Sequence, residues 1–240
     1  MSLTVFVGCV GSGKTACGIS KAVELFKNKY PNQIDRVKGT DNKFLFIYSR
    51  SNIEQETDTS KYIKNLYYQD QPIETDRIIN RYKHIIDFVA VDNLISIVCN
   101  EETASIYPGI NKYSIILIDD IHCYDRVGFC ITNLLMNNKD IICCGLDSDW
   151  KGKGYKEVST LLQLSTEFTK CTDMNCGLCM NDTTNKNEPG KCTRTAKITT
   201  GVYMPMCFKH HSEHIKYFIP NHNFYKDFEE NLEYDSVTEF

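Results

Sequence analysis

Residues 8–15, Gly-Cys-Val-Gly-Ser-Gly-Lys-Thr, have the types and the spacing to hold the phosphates of a nucleotide. Gly8, Gly11 and Gly13 let the backbone turn its N–H groups inward around phosphate oxygens, with Cys9, Val10 and Ser12 in the variable places. A helix starting directly after such a loop adds the positive end of its dipole. In this pattern Lys14 reaches the β- and γ-phosphates and Thr15 ligates Mg²⁺. The bland alternative is a chance glycine turn. The motif, however, sits between an apolar run at residues 3–7 and a helical stretch over about 15–29, as it must to work.

Asp119 and Asp120 close a second apolar run, Tyr-Ser-Ile-Ile-Leu-Ile at residues 113–118. Phosphoryl transfer on a phosphate loop needs a carboxylate at the end of a nearby strand to hold Mg²⁺, directly or through water. Either acid could serve. Successive side chains leave a strand on opposite faces, so the two are expected to do different jobs. An acidic helix N-cap is the structural alternative.

Cys176-x-x-Cys179 and Cys207-x-x-His210 are two ligand pairs with the spacing of a tetrahedral Zn²⁺ site. Cys171, Cys192, His211 and His214 lie close enough in sequence to compete for places. Four protein ligands leave no open position, so such a zinc is structural. Trp150, the sole tryptophan, follows the apolar residues 141–144 within Asp-Ser-Asp-Trp-Lys-Gly-Lys-Gly-Tyr. Ligands of parallel sheets bind beyond the carboxyl ends of the strands. Trp150 therefore either stacks on a base or covers core.

The elements that must position these groups alternate. Strands are expected at 3–7, 44–48, 87–91, 113–118 and 141–144, and helices at about 15–29, 93–102 and 126–136. Continuous apolar strands between helices imply a parallel sheet covered on both faces. Residues 51–83 carry no clear pattern, and beyond residue 170 the chain turns to short cysteine-punctuated segments. The expected layout is a nucleotide-binding core at 1–170, a zinc-binding unit at 171–214 and a polar tail at 215–240.

Composition bounds the rest. With 240 residues, 42% hydrophobic and 24% charged, the chain has enough apolar surface for a sizeable core. No apolar run approaches the roughly 18–20 residues of a membrane-spanning helix, and the first residues are expected to be a strand rather than a signal peptide. A net charge of −4 argues against a broad nucleic-acid surface, and so against a motor or helicase. Twelve cysteines would suit a disulfide scaffold only in a shorter secreted chain. Seven of them, Cys9, Cys17, Cys99, Cys123, Cys130, Cys143 and Cys144, are scattered and expected to be small buried hydrophobes of a reduced, cytoplasmic protein.

Taken in order, the phosphate loop, the strand ending in Asp-Asp, the loop Leu146-Asp147-x-x-Trp150-x-x-x-x-Tyr155, Cys176-x-x-Cys179 and Tyr203-x-x-x-Cys207-x-x-His210 resemble the type II, zinc-containing thymidine kinases over roughly residues 3–211. The resemblance implies a RecA-like P-loop sheet with helices on both faces and a small zinc-binding lasso-type domain. It also implies ATP, Mg²⁺ and Zn²⁺ as cofactors and transfer of a phosphoryl group from ATP to the 5′-hydroxyl of thymidine or a related deoxynucleoside. Asp119 matches the metal-associated acid, Asp120 the base, and Trp150, Tyr155 and Tyr203 substrate-side positions. Cys176, Cys179, Cys207 and His210 match the zinc ligands. A homotetramer or homodimer is implied, with no nucleic-acid or membrane partner.

The chain departs from the family pattern at several places. Aspartate stands where the family has a glutamate base. Ile121-His122-Cys123 replaces Gly-Gln-Phe. Asn52-Ile53-Glu54 stands in register with Asp-x-Arg, leaving Arg50 as a substitute arginine. Gly152 replaces an arginine of the lid, and the base-holding loop is short. These changes motivate a second expectation: a kinase-derived nucleotide-binding protein with weak or no activity and a structural or regulatory role.

Overall fold

Strand β1 (Ser2–Gly8) is built from Leu, Thr, Val and Phe, residues that favour the pleated backbone, and it is buried from Leu3 onward. A strand buried on both faces needs neighbours on both edges, and β1 has them. In the computed structural model, which describes residues 1–33, 42–50, 74–176, 178–179, 190–199 and 202–218, it is paired with β5 (Asp140–Leu146) and with β6 (Glu167–Lys170). With β2 (Phe44–Ser49), β3 (Ile86–Val91) and β4 (Ile115–Ile118), these make a six-stranded sheet in the order β3-β2-β4-β5-β1-β6. Every pair is parallel. The α/β class is as expected, with β5 between the loop-bearing strand and the acidic strand in RecA-like manner.

The period-2 alternation of side chains divides the core into two layers. Ile115 and Leu117 of β4, with Phe44, Phe46, Ile142 and Cys144, pack under Ile19, Ala22, Val23 and Phe26 of α1 (Lys14–Lys29) and Ile78 and Ile79 of α2 (Glu74–Tyr82). Ile116 and Ile118, with Leu3, Val5, Val7, Ile141 and Cys143, face the other way. They meet α3 (Ile95–Val98), α4 (Pro108–Asn111), α5 (Val127–Met136) and α6 (Lys156–Leu164). A second, two-stranded antiparallel sheet, β7 (Arg194–Thr199) and β8 (Val202–Met206), leads into α7 (Phe208–Phe218), where Ile215 is fully buried.

The expected helix over 93–102 is shorter, because Cys99 leaves the helix to bridge Ile106. Strand β6 was not expected, and the reason is physical: it is an edge strand, Glu-Phe-Thr-Lys, exposed along its length, with no apolar run to reveal it. The expectation that all seven scattered cysteines are buried needs correction. Cys17 is half-buried and Cys123 exposed, while the other five are buried. Asn52 and Glu54, the turn-rich stretch 181–189, Gly201 and the tail from residue 219 lie outside the described residues. Among the described residues no helix is long and apolar enough to cross a membrane.

Candidate active site and metal centre

Parallel register brings the carboxyl ends of β1, β4 and β5 side by side, since Gly8 pairs with Leu146 and Ile118 with Cys143. The phosphate loop, the acidic pair and the Trp150 hairpin therefore emerge at one edge, where α/β sheets bind ligands. Gly13 caps α1 in the left-handed region at φ 83°, which glycine adopts freely. At Gly8 a side chain would meet the Cys171 carbonyl oxygen at 2.5 Å, so only glycine fits.

Inside this loop Lys14 is buried, its Nζ donating to the Cys9 carbonyl at 2.6 Å and lying 3.5 Å from Ser12 Oγ. Thr15 Oγ1 donates to Asp119 Oδ2 at 2.7 Å. That bond joins the loop to the acidic strand across 104 positions of sequence, and together the two groups could hold a divalent cation. The Asp120 N–H donates to the other Asp119 oxygen at 3.0 Å, and Asp120 sits in the left-handed region at φ 56°. Aspartate tolerates that conformation better than most residues. The neighbouring acids thus diverge: Asp119 is buried against Thr15 and Asp120 is half-buried.

Burial, and next the charge of Asp120, push the Asp119 carboxyl up to about 7, against the opposing Thr15 hydrogen bond. A carboxyl raised from its ordinary value near 4 holds a proton in the folded state that the unfolded chain has already lost. Stability is therefore expected to fall as pH rises from about 4 to about 7 and to level off above that. Asp119→Asn removes the titration. The melting-temperature difference between wild type and this variant should shrink or change sign across that window, and parallel curves would contradict it.

Beside Asp120, His122 is driven down to about 4 by burial and then by the nearby Lys14 charge. Its Nδ1 accepts the Leu146 N–H at 3.3 Å, which places the ring proton of the neutral imidazole on Nε2. Tyr155 lies 5.3 Å from this ring and is pushed up to about 12, first by burial, with exposed Tyr203 near enough to contribute. Trp150 occupies a hairpin closed by the Ser148–Gly154 bridge and by Asp149 Oδ1, which accepts the N–H groups of Lys151 and Lys153. Asp147 at its base pairs with Lys170 at 2.6 Å.

Cys176, Cys179, Cys207 and His210 offer ligand atoms within 4.8 Å of one another. Cys179 Sγ is 3.8 Å from Cys207 Sγ, and His210 Nδ1 is 3.4 Å from Cys176 Sγ, 3.4 Å from Cys179 Sγ and 3.5 Å from Cys207 Sγ. A tetrahedral Zn²⁺ with bonds of about 2.3 Å to sulfur and about 2.0–2.1 Å to nitrogen would set those edges near ~3.8 and ~3.5 Å. The donor set therefore fits zinc in both chemistry and size. Burial raises the Cys176 thiol, but hydrogen bonds from the Cys207 and Cys179 backbone outweigh it and bring it down to about 7, favouring the thiolate a metal needs.

The competing groups are occupied elsewhere. His211 Nε2 donates to the Trp150 carbonyl at 2.9 Å and His214 Nε2 to the Lys197 carbonyl at 2.8 Å. Cys171 packs into the main core, and Cys192 packs with Cys9 in the interior of the cysteine-rich unit.

A family model described as thymidine kinase matches residues 67–211, more than half of the chain. The chain belongs to the thymidine kinase family. It is 34% identical over 103 residues to the thymidine kinases of the Choristoneura fumiferana and Choristoneura biennis entomopoxviruses. Those matches cover 40% of this chain, and the chain spans about half the length of these curated relatives, 54% and 53%. Among solved structures, domain III of the Thermotoga maritima replication initiation protein DnaA aligns at 15% identity. That match has a TM-score of 0.33 and covers 70% of this chain and 54% of that one, too loose a likeness to carry weight.

This thymidine kinase family member absorbs several of its departures locally. Ile121, in place of glycine, fits because position 145 on β5 is glycine: a Cβ there would lie 2.4 Å from Ile121 Cγ1. Gly152, in place of the lid arginine, takes φ 89° to turn the hairpin. Arg50 pairs with Asp92 at 3.4 Å and reaches the Ala90 carbonyl at 3.4 Å, at the end of β3. Two residues that spacing alone did not single out are Thr195 and Asp149. Both are short polar side chains spent on backbone N–H groups, a role with no motif to announce it.

Proposed function

We propose that the protein transfers the γ-phosphoryl of ATP to the 5′-hydroxyl of thymidine or a related deoxynucleoside. The observation that carries the proposal is the Thr15–Asp119 bond, which closes the phosphate loop onto the acidic strand end with Asp120 beside it, in a member of the thymidine kinase family. The N–H groups of residues 8–15 and Lys14 would cradle the triphosphate. Mg²⁺ held by Thr15 and Asp119 would supply charge neutralisation on the transferring group. Asp120 would orient the 5′-hydroxyl and take its proton. Trp150, Tyr155 and Tyr203 would form the nucleoside side of the site. Cys176, Cys179, Cys207 and His210 would hold a structural Zn²⁺. A cytoplasmic homotetramer or homodimer serving nucleotide salvage for DNA synthesis completes this reading.

The test is phosphoryl transfer from radiolabelled ATP with Mg²⁺, by zinc-replete protein, to each common nucleoside. A labelled 5′-monophosphate of thymidine or another deoxynucleoside is expected. The substitutions at Asn52, Glu54, His122 and Gly152 motivate a second reading, a nucleotide-binding protein of weak or no activity. ATP binding without transfer to any nucleoside would decide for that reading.

A further inference from the structure

Thr195 of β7 is almost wholly buried, and its Oγ1 accepts the Val10 N–H at 3.0 Å. One amide of the phosphate loop is thus held by a side chain 185 positions away. Next to it, Cys9 is fully buried and packs with Cys176, Cys192, Ala196 and Met206, the interior of the cysteine-rich unit. The loop that would cradle phosphates therefore rests on that unit from outside.

The Trp150 hairpin rests on the same unit. Fully buried His211 donates its Nε2–H to the Trp150 carbonyl at 2.9 Å, and a Cβ on Gly152 would lie 3.8 Å from His211 Cε1. Lys197 of β7 places its Nζ 5.8 Å from the centre of the Trp150 ring. His211 follows His210 on α7. Successive helical residues point about 100° apart, so one turn of helix can present His210 to a metal and His211 to the hairpin.

We propose that the Cys/His unit is a brace, in which Thr195 and His211 are positioning residues that fix the phosphate loop and the Trp150 hairpin relative to each other, so that metal occupancy sets nucleotide affinity. The inference rests on the proposed function only in taking these two loops as parts of one nucleotide and nucleoside site.

Because Trp150 is the only tryptophan, its emission reports the hairpin directly. Thr195→Val should retain zinc, speed amide hydrogen exchange in residues 8–13 and weaken MgATP binding about tenfold, with Thr195→Ser restoring both. His211→Phe should retain zinc and shift Trp150 emission, with His211→Gln restoring it through its amide donor. Stripping zinc from the wild type with a chelator should produce the loop and the hairpin changes together. Thr195→Ala carries the same test if the valine variant does not fold.

The brace is overturned if Thr195→Val, zinc-loaded, exchanges in the phosphate loop like the wild type. It is equally overturned if zinc leaves without a change in Trp150 emission. A wild type that binds no MgATP would sink the proposed function instead, and the exchange and emission readouts would still judge the brace.

Discussion

Asp120→Asn is expected to lower turnover by about 10²- to 10⁴-fold, the usual contribution of a positioned general base, with MgATP affinity unchanged. The reason is geometric. Asp119 accepts from Thr15 on one oxygen and from the Asp120 N–H on the other, which turns its carboxyl toward the phosphate loop. Asp120 leaves the strand end in the left-handed conformation and is half-buried at the mouth of the site. Asparagine also tolerates that backbone and keeps the size while losing the basic oxygen. Glutamate at 120 would lengthen the reach but is poorly suited to φ 56°, so Asp120→Glu should recover only part of the rate. Turnover of Asp120→Asn within threefold of wild type would remove Asp120 from the role.

Cys176→Ser is expected to lose the metal and unfold the β7–β8–α7 unit. Metal binding to a structural zinc site contributes on the order of 10–16 kcal/mol at neutral pH. Among the described residues the unit has a small interior: a two-stranded sheet is marginal alone, and its buried apolar cluster is Cys9, Cys176, Cys192, Ala196 and Met206, with Ile215 buried on α7. Zinc content near zero, a lowered first melting transition and loss of circular-dichroism signal from the hairpin should appear together. The six-stranded sheet should survive at first, because its two apolar layers do not depend on the metal. A Cys176→Ser protein that keeps zinc and melts like the wild type would contradict the assignment.

How much was legible in the sequence follows from how local each signal is. The phosphate loop was legible because its chemistry lies in eight consecutive residues whose backbone conformation glycine dictates. Strands β1, β2, β4 and β5 were legible because burial on both faces demands unbroken apolar runs. Edge strand β6 faces solvent and left no such trace, and the helix expected over 93–102 gave way to a bridge between Cys99 and Ile106. The pairs Cys176–Cys179 and Cys207–His210 were legible from spacing as candidate ligands, but which of eight sulfur and imidazole groups gather at one point was not. It became readable only when His211 and His214 were found donating to carbonyls and Cys192 packed with Cys9.

By itself, then, the sequence determined the elements whose rules act within a turn or a strand: the glycine-shaped anion cradle, the alternation of strands and helices, and the paired thiolate and imidazole donors. Tertiary structure alone decided the rest. It set which acid closes onto Thr15, which cysteines gather beside His210, and how Thr195 and His211 tie two loops to the β7–β8–α7 unit. The physical reason is range. A backbone conformation is dictated by neighbouring residues, whereas a hydrogen bond spanning 104 or 185 positions exists only once the sheet has set its register.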